Sequence, residues 1–399
     1  MSSYQLVEVK DKNTIKEFLL FPVSLNKNEK NWIRPLDEDI ESVFDSQKNK
    51  LFRHGEAIRW ILKDENNKVT GRVAAFYDKK SAQKNDQPTG GMGFFDCIHD
   101  KEAAFILFDA CKSWLQSKGM EAMDGPVNFG DRDRWWGCLV DGFEYPPNYC
   151  MPYNFPYYKD LFEAYGFKNY FNQYTYYRKV ELEGLSDSIK EKAKRLEKNP
   201  RYQFRHLEKN KLENYTEDFR TVFNNAWARF PGVTEMTKVH SRGLMKSLKP
   251  ILDERIMWFA YYDGEPIAFF LQVPEINKIV RHLNGKMNLW SKLKFLYYKK
   301  KGECDTVLGL IFGVVPEHQG KGVEGGIVMA FADVALKKSF PYKHLQFNWI
   351  GDFNPAMMKV VDQVGAHILK THVTYRFLFD RNKPFERAKK VNIKPNKLK

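Results

Sequence analysis

The sequence predicts an α+β protein, a three-layer α/β/α arrangement around a mixed sheet, built as two tandem domains. Three observations carry this. The chain has 399 residues, enough for two domains that each bury a core. A β-rich apolar run at 307–315 passes through Pro316 into Val323, Ile327, Phe331 and Val334, which recur at helical spacing. The order helix, hairpin, strand, helix can be read in both halves.

Residues 4–9 read as a first strand and 11–20 as a helix with Ile15, Phe18 and Leu19 on one face, ended by Pro22. Residues 52–62 and 69–77 read as strands across the turn-rich Asp64-Glu65-Asn66-Asn67-Lys68, a hairpin signal. After a polar loop at 79–89, residues 93–97 form another strand. The helix at 101–117 has a capping Asp100, an apolar stripe through Ala104, Phe105, Phe108, Cys111, Trp114 and Leu115, and a stop at Gly119. A strand around Met123 follows. The stretch 124–158 contains Trp135-Trp136-Gly137, Asp141-Gly142-Phe143 and Pro146-Pro147 and is too punctuated for long elements, so it is expected to form a lid or substrate wall. A helix at 158–165, stopped by Gly166, and a strand at 170–180 close the first half.

The charged run 185–211 reads as a connecting helix broken near Pro200 and marks the boundary. The expected domains are therefore 1–182 and 183–380, followed by a basic, solvated tail at 381–399. A helix at 216–229 leads into the loop 230–235, and strands at 256–262 and 266–273 pair across Asp263-Gly264. Beyond the central strand and helix come a strand at 345–350 and a helix capped by Asn354, with Met357, Met358, Val361 and Val364 on one face. A last strand spans 371–379.

Hydrophobic residues make up 43% and aromatic residues 15%, which describes a globular chain and excludes a disordered one. The formal charge of +14 points to anionic partners: phosphates, an acidic substrate, nucleic acid or an anionic membrane surface. Five cysteines without C-x-x-C spacing indicate neither a disulfide framework nor a zinc site. With no apolar leader and no run of roughly 18 apolar residues, the chain reads as a reduced, cytoplasmic protein.

Between the strand at 307–315 and its helix lies Glu317-His318-Gln319-Gly320-Lys321-Gly322. Two glycines allow a tight turn with N–H groups facing one way, and the helix adds the positive end of its dipole, so the expected guest is a phosphate. Lys321 opposes that dipole and makes sense mainly beside a bound anion. The corresponding turn in the first half, at 97–102, has no glycine and is acidic, which opposes an anion.

Gln319-Gly320-Lys321-Gly322-Val323-Glu324 resembles the Gln/Arg-x-x-Gly-x-Gly/Ala motif with which the GNAT acetyltransferase superfamily binds the pyrophosphate of acetyl-CoA. Five of the six positions match. The sixth holds Glu324 where the family has Gly or Ala, and a carboxylate there repels a pyrophosphate unless it points away. Over the whole chain the resemblance is to bacterial tandem-GNAT proteins of the YghO-like group, through Gly71-Arg72-Val73-Ala74-Ala75, Gly125-Pro126, Asp141-Gly142-Phe143, Tyr153-Asn154-Phe155-Pro156-Tyr157-Tyr158 and Trp349.

The resemblance implies an acyl-CoA-dependent N-acyltransferase acting by direct transfer, with acetyl transfer to a small-molecule or peptide amine foremost and no metal. Acetyl-CoA or another acyl-CoA would sit in the second domain, the first having lost its cradle. It places Gly313, Val314 and Val315 where a backbone N–H polarises the thioester carbonyl. His318, Gln319, Gly320, Lys321, Gly322 and Val323 surround the diphosphate, and Asn354 stands where an Asn touches CoA. Two other readings remain open: a non-catalytic binding protein, and Fem-like aminoacyl transfer from tRNA.

For chemistry, Glu235 is the candidate base, from a loop that would overhang the cleft, or a surface residue capping the next helix. Asn348 could hold substrate or a water, or belong to the strand ladder. Tyr375 could act as the acid or be core. His318 could contact phosphate or act as a base, or be an ordinary loop histidine.

Overall fold

The computed structural model describes residues 4–82, 87–227 and 235–391. Its described residues divide into two compact units, one drawn from Met1–Gln173, Ile276–Lys301 and Lys370–Lys389, the other from Tyr174–Glu275, Gly302–Leu369 and Lys390–Lys399. The strands are β1 (Gln5–Glu8), β2 (Gly55–Lys63), β3 (Val69–Asp78), β4 (Thr89–Cys97), β5 (Ala122–Gly125), β6 (Cys138–Asp141), β7 (Lys168–Lys179), β8 (Tyr202–His206), β9 (Trp258–Tyr262), β10 (Glu265–Pro274), β11 (Thr306–Val314), β12 (His344–Gly351) and β13 (His367–Leu378). From Lys370 onward β13 folds with the first unit, although it lies at the end of the sequence.

In the first unit the sheet runs β1-β2-β3-β4-β5-β13, with β6 also on β13. All pairs are antiparallel except β4 with β5. Alternate residues feed two cores, as a sheet covered on both faces requires. Leu62, Val73 and Ala75 meet Leu107, Phe108 and Cys111 of the helix Lys101–Ser117 on one face. Ile61 and Ala74 belong with Phe18 of the helix Lys12–Leu25 on the other. That second helix corrects the sequence reading, because Pro22 lies inside it and does not end it. A proline at 22 cannot donate to the Phe18 carbonyl. The Arg72 guanidinium does so instead, at 2.8 Å, which is why the helix continues.

The second unit repeats the plan. Its sheet runs β7-β12-β11-β10-β9-β8, counting β7 from Tyr174, and of the pairs from β12 to β8 only β11 with β12 is parallel. Phe259 and Phe269 face Tyr215 and Phe219 of the helix Leu212–Trp227. The neighbouring Phe270 turns to the opposite face, beside Phe312 and Phe347. Asp263 and Gly264 take left-handed conformations in the hairpin turn, as its two-residue loop requires.

The charged run at 185–211 holds more than a linker. The helix Asp187–Glu197 is followed by β8, an edge strand in which only alternate side chains, Tyr202, Phe204 and His206, turn inward. Such a half-exposed edge reads as polar in sequence. The loop expected at 230–235 lies outside the described residues up to position 234, as do residues 83–86 of the polar loop and the tail from position 392.

Candidate functional site

The site begins with a break in the parallel ladder of the second unit. β11 pairs with β12 from Thr306↔His344 to Gly309↔Phe347 and no further, although both strands continue, to Val314 and Gly351. On its other edge Leu271 faces Ile311 while Gln272 faces Gly309, which leaves Leu310 as an extra residue. A bulge bends its strand and increases the local twist. Past Gly309 the two strands therefore open into a V.

The bulge also decides which main-chain groups face that opening. Val315 N–H donates to the Ile267 carbonyl at 2.9 Å. Antiparallel alternation then turns Gly313 toward β10 as well and Val314 N–H toward the V. The Val314 carbonyl is held by Gln319 Nε2 at 2.9 Å, and the Phe312 carbonyl by Trp227 Nε1 at 3.2 Å. A Cβ at position 313 would lie 2.9 Å from Trp227 Nε1, so the indole and glycine need each other.

Beyond β11 the chain turns through Pro316–His318 into the helix Val323–Ala335. Gly320 and Gly322 both have positive φ, and Gly322 is an N-cap with no side chain to bond the first-turn amides. Those amides have no intrahelical acceptors, and they carry the positive end of the helix dipole. Gly325 and Gly326 serve another purpose. A Cβ at 325 would stand 2.8 Å from the Ile189 carbonyl and one at 326 would fall on the Phe204 ring, so these glycines let the helix Asp187–Glu197 and β8 approach.

That approach brings cations the sequence reading did not anticipate. The Lys192 stem packs on Gly322, where an added Cβ would be 2.7 Å away. Arg195 Nη2 donates to the Lys321 carbonyl at 2.9 Å, and Lys321 itself is exposed. Ile189, Lys192 and Arg195 recur at three-residue spacing on one side of their helix, a signal hidden by treating the segment as a linker.

Glu324 lines an apolar cavity with Val328, Phe331, Ala332 and Ala335 of its own helix, Phe347 of β12, and Val360 of the helix Pro355–Gln363. The cavity holds about 670 Å³ of empty space, open mouth included. Burial raises the Glu324 pKa, and its own backbone N–H and the Lys192 charge offset this only in part. The carboxyl is thus poised to become neutral more readily than an exposed glutamate.

The remaining sequence candidates scatter. His318 is buried, with Nδ1 3.1 Å from the Tyr202 hydroxyl and its ring against Tyr262, and burial followed by the Lys321 charge lowers its pKa. Asn348, the first β12 residue past the ladder, is buried and accepts from Thr175 Oγ1 at 3.1 Å. Asn354 caps the next helix by accepting from Met357 N–H at 3.2 Å. Glu235 is exposed, beside Met236, whose main chain is held by Asn224. Tyr375 lies in the first unit's core, stacked on Phe162 with its hydroxyl 3.3 Å from Glu163 Oε1. The second unit thus gathers the strand, turn and Asn348, while Tyr375 belongs elsewhere. Among the described residues, no group of three or more His, Cys, Asp or Glu is placed to hold a metal ion.

No family model matches the chain. It is 27% identical over 379 residues to a bacterial ceramide synthase of Caulobacter vibrioides, covering 93% of this chain and 96% of that one. It is 26% identical over 368 residues to protein YghO of Escherichia coli K12, covering 92% and 93%. Among solved structures, a tandem GNAT protein from the clavulanic acid biosynthesis pathway superposes with a TM-score of 0.52 at 10% identity, over 95% of this chain and all of the other.

Proposed function

We propose that this chain, which has the tandem GNAT fold, transfers an acyl group from an acyl-CoA to an amine, with the cofactor in the second unit. The observation that supports this best is the V between β11 and β12, which leads from an uncapped helix start to an apolar cavity. The diphosphate sits on the amides of Gly320, Gly322 and Val323 beside Lys192 and Lys321, an arrangement that helix dipole and charge both favour. Val314 N–H points at the thioester carbonyl and stabilises the oxyanion as the amine attacks. The C–N bond forms, the C–S bond breaks, and CoA leaves as the thiolate. Glu235 takes the amine proton, directly or through a water, and Asn348, oriented by Thr175, positions the acceptor.

The cavity favours an acyl chain longer than acetyl, because its apolar wall continues along the helix from Glu324 to Leu336. A ceramide is an N-acylated long-chain amino alcohol, so the name of the Caulobacter relative agrees with a long acyl group and a lipid-like amine. Calorimetry with acetyl-CoA and palmitoyl-CoA tests the reading. Palmitoyl-CoA is expected to bind the more tightly, and Ala332→Trp, which fills the cavity, to remove that preference while sparing acetyl-CoA. Glu235→Gln is expected to lower kcat by roughly 10²-fold or more with little change in KM. Absence of binding by any acyl-CoA would overturn the assignment.

A further inference from the structure

The segment between β10 and β11 belongs to neither the V nor its cradle. From 276 to 302 it contains eight lysines and arginines and no aspartate or glutamate. Its main element is the helix Leu289–Lys300, started by Asn288, whose side chain accepts from Ser291 N–H at 3.0 Å. One side of the helix is anchored in the first unit. Ser291 is buried, Phe295 packs on the cluster of Ile33, Leu36, Val280 and Leu283, and the Tyr298 ring stacks on His282 with centroids 3.9 Å apart.

The other side is bare. Leu289, Trp290, Leu293, Leu296 and Tyr297 are between 51% and 75% exposed, and at 3.6 residues per turn they share an arc of about 120°. Single exposed apolar residues need no explanation, but five in one stripe do. Lys294 and Lys301 border the stripe on one side, Lys292 and Lys299 on the other, and Lys300 lies at its C-terminal end.

We propose that this helix lies flat on an anionic phospholipid bilayer, its Leu-Trp-Leu-Leu-Tyr stripe in the headgroup and acyl boundary and its lysines against lipid phosphates. Three features favour a bilayer over a protein. The apolar strip is flanked by cations on both sides, which matches the layered chemistry of a membrane interface. Trp and Tyr, the side chains suited to that interface, are the aromatic members of the stripe. A second copy of the chain would bring the lysines beside one stripe against those beside the other. Among the described residues no helix is long and apolar enough to cross a membrane, so the contact is one of surface. The inference stands on exposure and charge and does not depend on the acyl-transfer reading.

Flotation of the full-length protein with vesicles tests it. The protein is expected to rise with vesicles of phosphatidylcholine plus phosphatidylglycerol and to stay behind with phosphatidylcholine alone, the difference shrinking as salt is added. Trp290→Glu with Leu293→Glu should reduce the floating fraction at least about tenfold while leaving the circular dichroism spectrum unchanged, since both side chains are exposed. Lys292→Gln with Lys299→Gln should reduce it less and weaken its salt dependence. The proposal is overturned if the native protein does not float with anionic vesicles, or if the double glutamate variant floats equally well. It is also overturned if sedimentation equilibrium shows a dimer that this variant dissociates, because a second copy then covers the stripe.

Discussion

The two units carry the same parallel strand pair after the same antiparallel run, and they treat the gap beyond it in opposite ways. In the first unit β4 and β5 pair only over Thr89–Gly91 and Ala122–Asp124, and a bulge follows at Phe94, which is left-handed. There the chain fills its own gap. Val127 N–H donates to the Met92 carbonyl at 2.8 Å, and a Cβ on Gly93 would fall on the Val127 carbonyl oxygen. The helix start beyond is closed too, since the Asp100 carboxylate accepts from Ala103 N–H at 2.9 Å. Among the described residues, the second unit shows no such main-chain bond across the parting at Gly309 and no capping side chain at Gly322. The same topology thus makes a plugged frame or an open one, and a few residues after the parallel pair decide which.

Adding one carbon to each frame separates the two most clearly. Gly93→Ala should cost about 3 kcal/mol or more, because the clash is with main chain that cannot rotate away. At Gly309 the new methyl would meet the rings of Phe270 at 3.1 Å and Phe347 at 3.3 Å, which border the cavity and can shift into it. Gly309→Ala should therefore cost under about 1 kcal/mol. Denaturant unfolding of the two variants gives the answer, and equal losses would mean that the second frame is as tightly filled as the first.

The two helix starts can be separated by charge. Lys192→Glu and Lys321→Glu are each expected to weaken acyl-CoA binding by about tenfold, more at low ionic strength than at high. Asp100→Ala at the other helix start should leave that affinity unchanged and cost about 1 kcal/mol of stability through the lost cap. If Asp100→Ala instead created a second acyl-CoA site in calorimetry, the first frame would be closed by its carboxylate alone and not by Val127.

What the sequence showed of this contrast was local. The glycine turn at 320–322, the Asp100 cap and the Asp263-Gly264 hairpin were legible because each depends on neighbouring residues. The Gly93 contact with Val127 and the packing of Lys192 on Gly322 were not, since each joins segments far apart in the chain. Pro22 misled because the group that replaces its missing donor, Arg72, comes from a strand 50 residues away in sequence. The order of elements could be read, but the way β13 rejoins the first unit is a matter of sheet pairing that no local pattern encodes.

Glu324 gives the smallest expected effect and the finest probe of the open frame. Burial raises its pKa, so the folded protein holds the proton more tightly than the unfolded chain does. The buried charge therefore costs stability as pH rises from the ordinary carboxylate range through the raised value, and that cost is absent below it. Binding of a diphosphate should follow the same curve, because protonation removes the repelling charge: acyl-CoA affinity should rise by roughly threefold as pH falls through this range. Glu324→Gln should bind as the acidic form does at every pH and be slightly more stable than the native protein above the carboxylate range. Calorimetric titrations of the two proteins at matched pH values would show this. If affinity changed equally with pH in both, Glu324 would point away from the diphosphate and the cradle would be set by its glycines and lysines alone.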